Sequence, residues 1–275
     1  APARCRGPER PLAQAKRDAV ELAARFEQLY PGETFAPWDW VFVAEVVRRE
    51  RYDLDLDALA PYLAVDKVLS AVYGAAERLY GVTFVRRPEL RGHTAEAEVY
   101  EVLDADGSTV GLFVMDFWAR PTKMGGAWMN NIVDASGLLG ELPVVTNNCN
   151  YPKGTTTITW DGVVTMFHEF GHALHGLFAA SRYPSHSGTS TPRDFVEFPS
   201  QVNEHWAWEP DAVIPAEWAA KLTAAERFNQ GFGNYEAWSA MILDQAWHTT
   251  PLGELPTSAD EVEAFEARAL EALKA

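Results

Sequence analysis

His168 and His172 stand four residues apart, with Glu169 directly after the first, in the run Trp160 to His175. The run reads as a helix that opens near Thr159, so the two imidazoles project from one face, one turn apart. That separation lets both rings reach a single tetrahedral ion at zinc–nitrogen distances of about 2.0–2.1 Å. Glu169 falls about 100° further round the helix. It is expected beside the ion rather than on it, where a carboxylate can take a proton from water. The H-E-x-x-H pattern is the one that metalloproteases use. A catalytic zinc requires a third protein ligand and one open position. Glu197, 25 residues after His172, has the spacing of a carboxylate carried by the next helix of an αα-hairpin. The sequence therefore predicts one zinc ion held by His168, His172 and Glu197, with Glu169 as general base. The competing reading, two buried structural histidines, is disfavoured because the two glutamates complete the set.

The second helix is expected to start at Thr191 as cap, with Pro192 in its first helical position. On its Glu197 face lie Asp194, Gln201 and Glu204, any of which can orient a zinc ligand by hydrogen bonding. His175 is seven residues from His168 and shares its face. It lies about 10.5 Å along the axis, too far to join the same ion, so a structural or ligand-orienting role is expected. His186 is read either as a substrate contact or as an ordinary exposed loop histidine. Trp206, Trp208, Trp238 and Trp247 are read as core.

These residues need a scaffold, and the chain predicts a mainly α fold of α+β type. Leu12, Ala15, Ala19, Leu22, Ala23, Phe26 and Leu29 recur at helical spacing up to Pro31-Gly32. A second helix is expected from Pro37 to Arg51, with Trp40, Val43, Ala44 and Val47 inward. A third spans Leu56 to Tyr80, with Pro61 in its first turns or at a break, and Gly81 closes it. Val82–Val85, Glu98–Leu103, Val110–Phe117 and Leu142–Thr146 read as strands of a small, mostly antiparallel sheet. Asp104-Ala105-Asp106-Gly107 is a hairpin turn. Met124–Val133 adds an edge strand, where Gly125-Gly126 permits close approach of another backbone. From Thr159 onward the chain is helical, ending with a helix from Asp260 to Lys274. The expected organisation is a single catalytic region over 1–275, made of a helical segment (1–80), a small sheet (81–150) and a zinc-binding helical segment (159–275).

The formal net charge of −16 argues against nucleic acid and against an acidic membrane surface as partners. No apolar run is long enough to span a bilayer. Two cysteines, Cys5 and Cys149, are too few for a disulfide framework, which suits a cytoplasmic setting. The start, Ala1-Pro2-Ala3-Arg4, has no initiating Met and reads as a fragment or a processed chain.

Two stretches carry a family likeness. Phe167-His168-Glu169-Phe170-Gly171-His172-Ala173-Leu174-His175-Gly176 and Arg193-Asp194-Phe195-Val196-Glu197-Phe198-Pro199-Ser200-Gln201 closely resemble the thimet oligopeptidase family of zinc peptidases. The continuation Val202-Asn203-Glu204-His205-Trp206 is most similar to its bacterial peptidyl-dipeptidase branch. Pro37-Trp38-Asp39-Trp40, Arg120 to Trp128, Asn147-Asn148 and Phe228 to Phe232 extend the likeness over most of the chain. The resemblance implies a zincin-like helical region with a small sheet beside a deep channel, and cleavage of short peptides. It implies zinc ligation by His168, His172 and Glu197 and a catalytic Glu169. It also implies that Gly125, Gly126 and Ala127, as a strand, and Ser187, Gly188 and Thr189, as a loop, line the substrate channel. The family's Gly- and Tyr-rich downstream loop has no counterpart before Ala275, where Tyr235 stands alone, and its large N-terminal helical part is also missing. The function expected is release of C-terminal dipeptides from oligopeptides. The alternatives are an endo-acting oligopeptidase, or a fragment that binds zinc but turns over weakly.

Overall fold

The computed structural model describes residues 9–209 and 211–271. Cys5, the chain start Ala1–Arg4 and the expected helix end at Lys274 lie outside the described residues. The chain divides into two compact units, one formed by residues up to Leu54 together with those from Lys221, the other by Asp55–Ala220. The three consecutive segments expected from the sequence are therefore regrouped, because the first two helices pack with the last ones.

In the first unit, α1 (Glu9–Leu29), α2 (Trp40–Tyr52), α8 (Gln230–Thr249) and α9 (Ala259–Ala269) are helices. A one-turn 3-10 segment, Pro37–Asp39, precedes α2. Leu22, Phe26, Trp40, Val43, Ala44 and Val47 form the core. Trp40 stacks on Phe232 at 4.3 Å and donates its indole N–H to Asn229 Oδ1 at 2.9 Å. The expectation that Trp238 is core is corrected: it is exposed on α8, whereas Trp247 packs on Phe265.

In the second unit, Leu56–Tyr62 is a 3-10 helix containing Pro61, and α3 (Val65–Tyr80) follows. The proline removes a donor and crowds the preceding turn, so the expected single helix splits. Gly81 closes α3 in the left-handed conformation at φ 74°. Five strands follow, β1 (Thr83–Arg86), β2 (Glu98–Leu103), β3 (Thr109–Trp118), β4 (Trp128–Val133) and β5 (Val144–Tyr151), in the order β1-β2-β3-β5-β4. Only β3–β5 is parallel. The sheet is thus mostly antiparallel, with β4 on an edge, as the sequence predicts. β1, β3 and the start of β5 shift by one or two residues, and two boundaries differ by more. β5 runs to Tyr151 rather than ending at Thr146, and β4 begins at Trp128, so Gly125 and Gly126 lie in the bend before it.

α4 (Trp160–Leu177) crosses one face of the sheet. Thr159 caps it, its hydroxyl accepting from Gly162 N at 3.0 Å. Phe170 of α4 packs among Phe113, Phe84 and Tyr73 at centroid distances of 5.5–5.6 Å. α5 (Arg193–Val196) and α6 (Phe198–Glu204) follow, and α7 (Ala216–Ala225) contains the division between the units. The helix expected to run on from Thr191 is interrupted at Glu197. Pro199 in the first turn of α6 cannot donate and crowds the carbonyl four residues back. Pro192 is the residue before α5 rather than its first member, and Thr191 does not cap it.

Candidate metal centre

Three elements bring the sequence-predicted ligands together. The helical turn between His168 and His172 sets their ring centroids 4.9 Å apart. Glu197 arrives at the α5–α6 junction, and its Oε2 lies 3.2 Å from His168 Nε2 and 3.1 Å from His172 Nε2. One ligand atom from each of the three residues falls within 4.8 Å of the others, so the group can hold a metal ion.

Close contact between α4 and α6 makes this possible. A Cβ at Gly171 would lie 2.7 Å from Ser200 Cα, 2.8 Å from Asn203 Cβ and 2.9 Å from Pro199 O. The missing side chain therefore admits the α6 backbone. Asn203 Nδ2 donates to Phe167 O at 2.6 Å and ties the two helices at that crossing. Ser200 Oγ is buried and sits 2.9 Å from both Glu197 O and Glu197 Oε2, which fixes the carboxylate's rotamer. Sequence reasoning assigned Ser200 no role, although its spacing of three from Glu197 in a helix was a usable signal.

Of the three candidate orienting residues, Glu204 Oε1 lies 2.7 Å from His168 Nδ1. Asp194 and Gln201 are exposed, and neither makes a hydrogen bond or ion pair with the two histidines. His175 stands apart from the group, with its ring 6.2 Å from that of Phe195. Burial lowers the His172 pKa, with Glu197 pulling the other way, which favours the neutral ring that ligation requires. Burial raises the Glu197 carboxyl, but Ser200 and the two imidazoles outweigh it and hold the group below its ordinary value.

A carboxylate only accepts, so Glu204 accepts a hydrogen bond from His168 Nδ1, and in the neutral ring Nε2 is then the lone-pair atom. That lone pair faces a carboxylate oxygen at 3.2 Å. Two electron-rich atoms at this separation repel unless a cation lies between them. Donors of a tetrahedral zinc at about 2.0–2.1 Å stand about 3.3 Å from each other, close to the 3.2 and 3.1 Å of the two imidazole–carboxylate pairs. The donor set of two imidazoles and a carboxylate thus fits zinc.

Glu169 is buried at 6% exposure, and its Oε2 has no hydrogen-bond partner. Burial raises its pKa to about 7, with Glu197 adding to the shift and His168 opposing it. It lines a cleft of about 430 Å³ with His168, His172, Glu197, Val196, Thr189, Ala127, Trp128 and Met129. Of the residues expected to line a substrate channel, Ala127 and Thr189 border this cleft. Gly125 and Gly126 do not, and an added Cβ at either would meet nothing within 4 Å. Their bend is instead held by Asn150 Nδ2, which donates to Met124 O and Gly126 O at 2.6 and 2.7 Å. Ser187 and Gly188 are buried behind Thr189, Gly188 so close that a Cβ would lie 2.9 Å from Asn131 Nδ2. His186 is exposed and borders a different hollow.

Residues 9–271 match the model of peptidase family M3. The dipeptidyl carboxypeptidase of Escherichia coli (strain K12) is 42% identical over 274 residues, covering 94% of this chain and 40% of that protein. The corresponding enzyme of Salmonella typhimurium is 44% identical, with 94% and 41% covered. Oligopeptidase A of Salmonella typhimurium is 31% identical, with 80% and 35% covered. The chain therefore spans about two fifths of the length of the dipeptidyl carboxypeptidases it matches. With 263 of its 275 residues inside the family model, it belongs to peptidase family M3.

Proposed function

We propose that this chain is the catalytic region of a zinc metallopeptidase that hydrolyses short oligopeptides and releases C-terminal dipeptides. The observation that carries the reading is the shared contact of His168 Nε2 and His172 Nε2 with one oxygen of Glu197, backed by Glu204. Those first three residues would hold one zinc ion. When bound, zinc supplies Lewis acidity, which polarises a peptide carbonyl and makes water nucleophilic near neutral pH.

The protein's own groups do the rest. Glu169, poised near neutrality and free at Oε2, accepts a proton from the attacking water and returns it to the leaving amine. Burial of that carboxyl keeps the transfer away from bulk solvent. β4 is a sheet edge whose start borders the cleft, so an extended peptide can pair along it as an added strand. This favours unstructured substrates, and we take the cleft as one wall of the deep channel that the resemblance implies. No helix among the described residues is long and apolar enough to cross a membrane. Cys149 is a buried free thiol, which supports a cytoplasmic setting.

Dipeptide release rests on the two dipeptidyl carboxypeptidases, and the likeness to oligopeptidase A supports endo-cleavage as the second reading. Metal analysis with mass-spectrometric product mapping on a short peptide panel decides, with Glu169→Gln as control. Zinc with C-terminal dipeptides upholds the proposal, and internal fragments favour the second reading. Zinc without cleavage reduces the chain to a metal-binding fragment, and absence of metal overturns the reading.

A further inference from the structure

Asn147 on β5 is 1% exposed, and neither Oδ1 nor Nδ2 has a hydrogen-bond partner. The other asparagines of the strand are engaged. Asn148 Nδ2 lies 3.2 Å from Thr146 Oγ1, and Asn150 holds the bend before β4. A buried amide left unpaired destabilises a fold, so its presence in a central strand calls for a reason.

Its direction follows from its neighbours. Val145 lies against Gly176 of α4, and Tyr151 Oη donates to Gly162 O of the same helix at 2.9 Å. Pairing with β3 runs without a shift from Val145 to Asn148, so alternation from Val145 turns Asn147 to the α4 face as well. From Val145 to Tyr151 the strand advances about 20 Å, and from Gly176 to Gly162 the helix retreats about 21 Å. The two therefore run side by side, and Asn147 lies level with residues 171–172 of α4. Its pairing partner Met129 borders the cleft. On α4 at this level two more buried atoms lack partners, His172 Nδ1 and Glu169 Oε2.

The three orphans are chemically complementary. An imidazole that gives its Nε2 lone pair to a metal carries its proton on Nδ1 and needs an acceptor there. The amide oxygen is an acceptor, the amide nitrogen is a donor, and a carboxylate oxygen accepts. We propose that Asn147 is a positioning residue for the metal centre, its Oδ1 accepting from His172 Nδ1 and its Nδ2 donating to Glu169 Oε2, each across no more than one bridging water. The inference rests on the zinc reading above.

Zinc affinity of the whole chain, measured by competition with a chromophoric chelator, tests it alongside thermal melting of the zinc-free protein. Asn147→Leu should bind zinc 10- to 100-fold more weakly, the usual cost of losing a residue that orients a ligand. The zinc-free variant should melt no lower than the parent, because two unpaired polar groups have been removed from the interior. Asn147→Asp keeps an acceptor for His172 and should hold zinc within about threefold of the parent, a contrast that general loosening would not produce. Unchanged zinc affinity in Asn147→Leu overturns the inference while leaving the zinc reading intact. A zinc-free Asn147→Leu that melts lower, or fails to fold, assigns the residue to packing and also overturns it. A parent that takes up no zinc removes the reading and the inference together.

Discussion

A methyl group at Gly171 would have to displace backbone, since the nearest atoms are Ser200 Cα at 2.7 Å and Pro199 O at 2.9 Å. Ordinary van der Waals contact requires about 3.5 Å or more, so α6 must retreat by roughly 0.8 Å. Carried to Glu197, that movement lengthens its 3.1 and 3.2 Å approaches to the two imidazoles to about 3.9 Å, beyond the 3.3 Å or so that a tetrahedral zinc requires of its donors. Gly171→Ala should gain up to about 1 kcal/mol of helix propensity. Against this, forcing an atom into a packed interface costs about 1–3 kcal/mol. The expected result is net destabilisation of about 0–2 kcal/mol and zinc affinity reduced 10- to 100-fold. Urea unfolding of the zinc-free chain reads the first quantity, and chelator competition reads the second. An alanine variant that is more stable than the parent and binds zinc equally well would refute the argument that this glycine sets the interhelical distance.

Glu204→Gln keeps an acceptor for His168 Nδ1 but removes the charge, and should weaken zinc binding about tenfold in the same competition assay. Glu169 has a folded pKa of about 7 against an ordinary value of 4.5, so the folded state holds the proton over that interval. Stability of the zinc-free protein should therefore be full below pH 4.5 and fall by roughly 3 kcal/mol as pH rises to 7. Glu169→Gln should abolish that slope in pH-dependent urea titrations and eliminate peptide cleavage by at least about 100-fold. Burial raises the Asp116 carboxyl, but hydrogen bonds from Arg120, Lys123 and His93 outweigh this and hold it below 3.8. Its contribution is present above the unfolded value and is lost as pH falls through the folded one. Asp116→Asn should cost about 3–5 kcal/mol at pH 7 by stranding the buried Lys123, with the gap to the parent narrowing below about pH 4 in denaturant titrations.

Local signals made α4 and its histidine pair legible, because periodicity, the Thr159 cap and the His168–His172 spacing all act within one element. Glu197 was legible by type and distance, but its backbone was not. A sequence that caps and starts a helix at Thr191 is overruled by Pro199, which divides it and leaves Glu197 at the joint. Of three residues on one face, spacing could not distinguish Glu204 from Asp194 and Gln201, since only the approach of α4 decides which one reaches His168. The length of β5 escaped for a different reason. Asn147, Asn148 and Asn150 have low strand propensity, and it is burial between β3 and β4 that keeps them extended. The pairing of α1 with α8 joins segments roughly 200 residues apart, a relation that no local pattern encodes.

Two glycines of α4 divide the work of shaping the site. Gly171 faces α6 and lets that helix deliver Glu197, while Gly176 faces β4, where a Cβ would lie 2.5 Å from Met129 Cε and 2.7 Å from Asn131 Oδ1. Gly188, at φ 51°, lies against Gly176 and Asn131 and leads directly into Thr189 on the cleft's rim. One helix therefore carries the two histidines toward Glu197 on one side and draws the sheet edge and loop inward on the other. On the proposed zinc reading, the distance between the metal and the peptide wall would be set by backbone contacts at positions 171, 176 and 188 rather than by adjustable side chains. A site built this way tolerates changes among the exposed residues bordering α5 far better than a single added methyl group on α4.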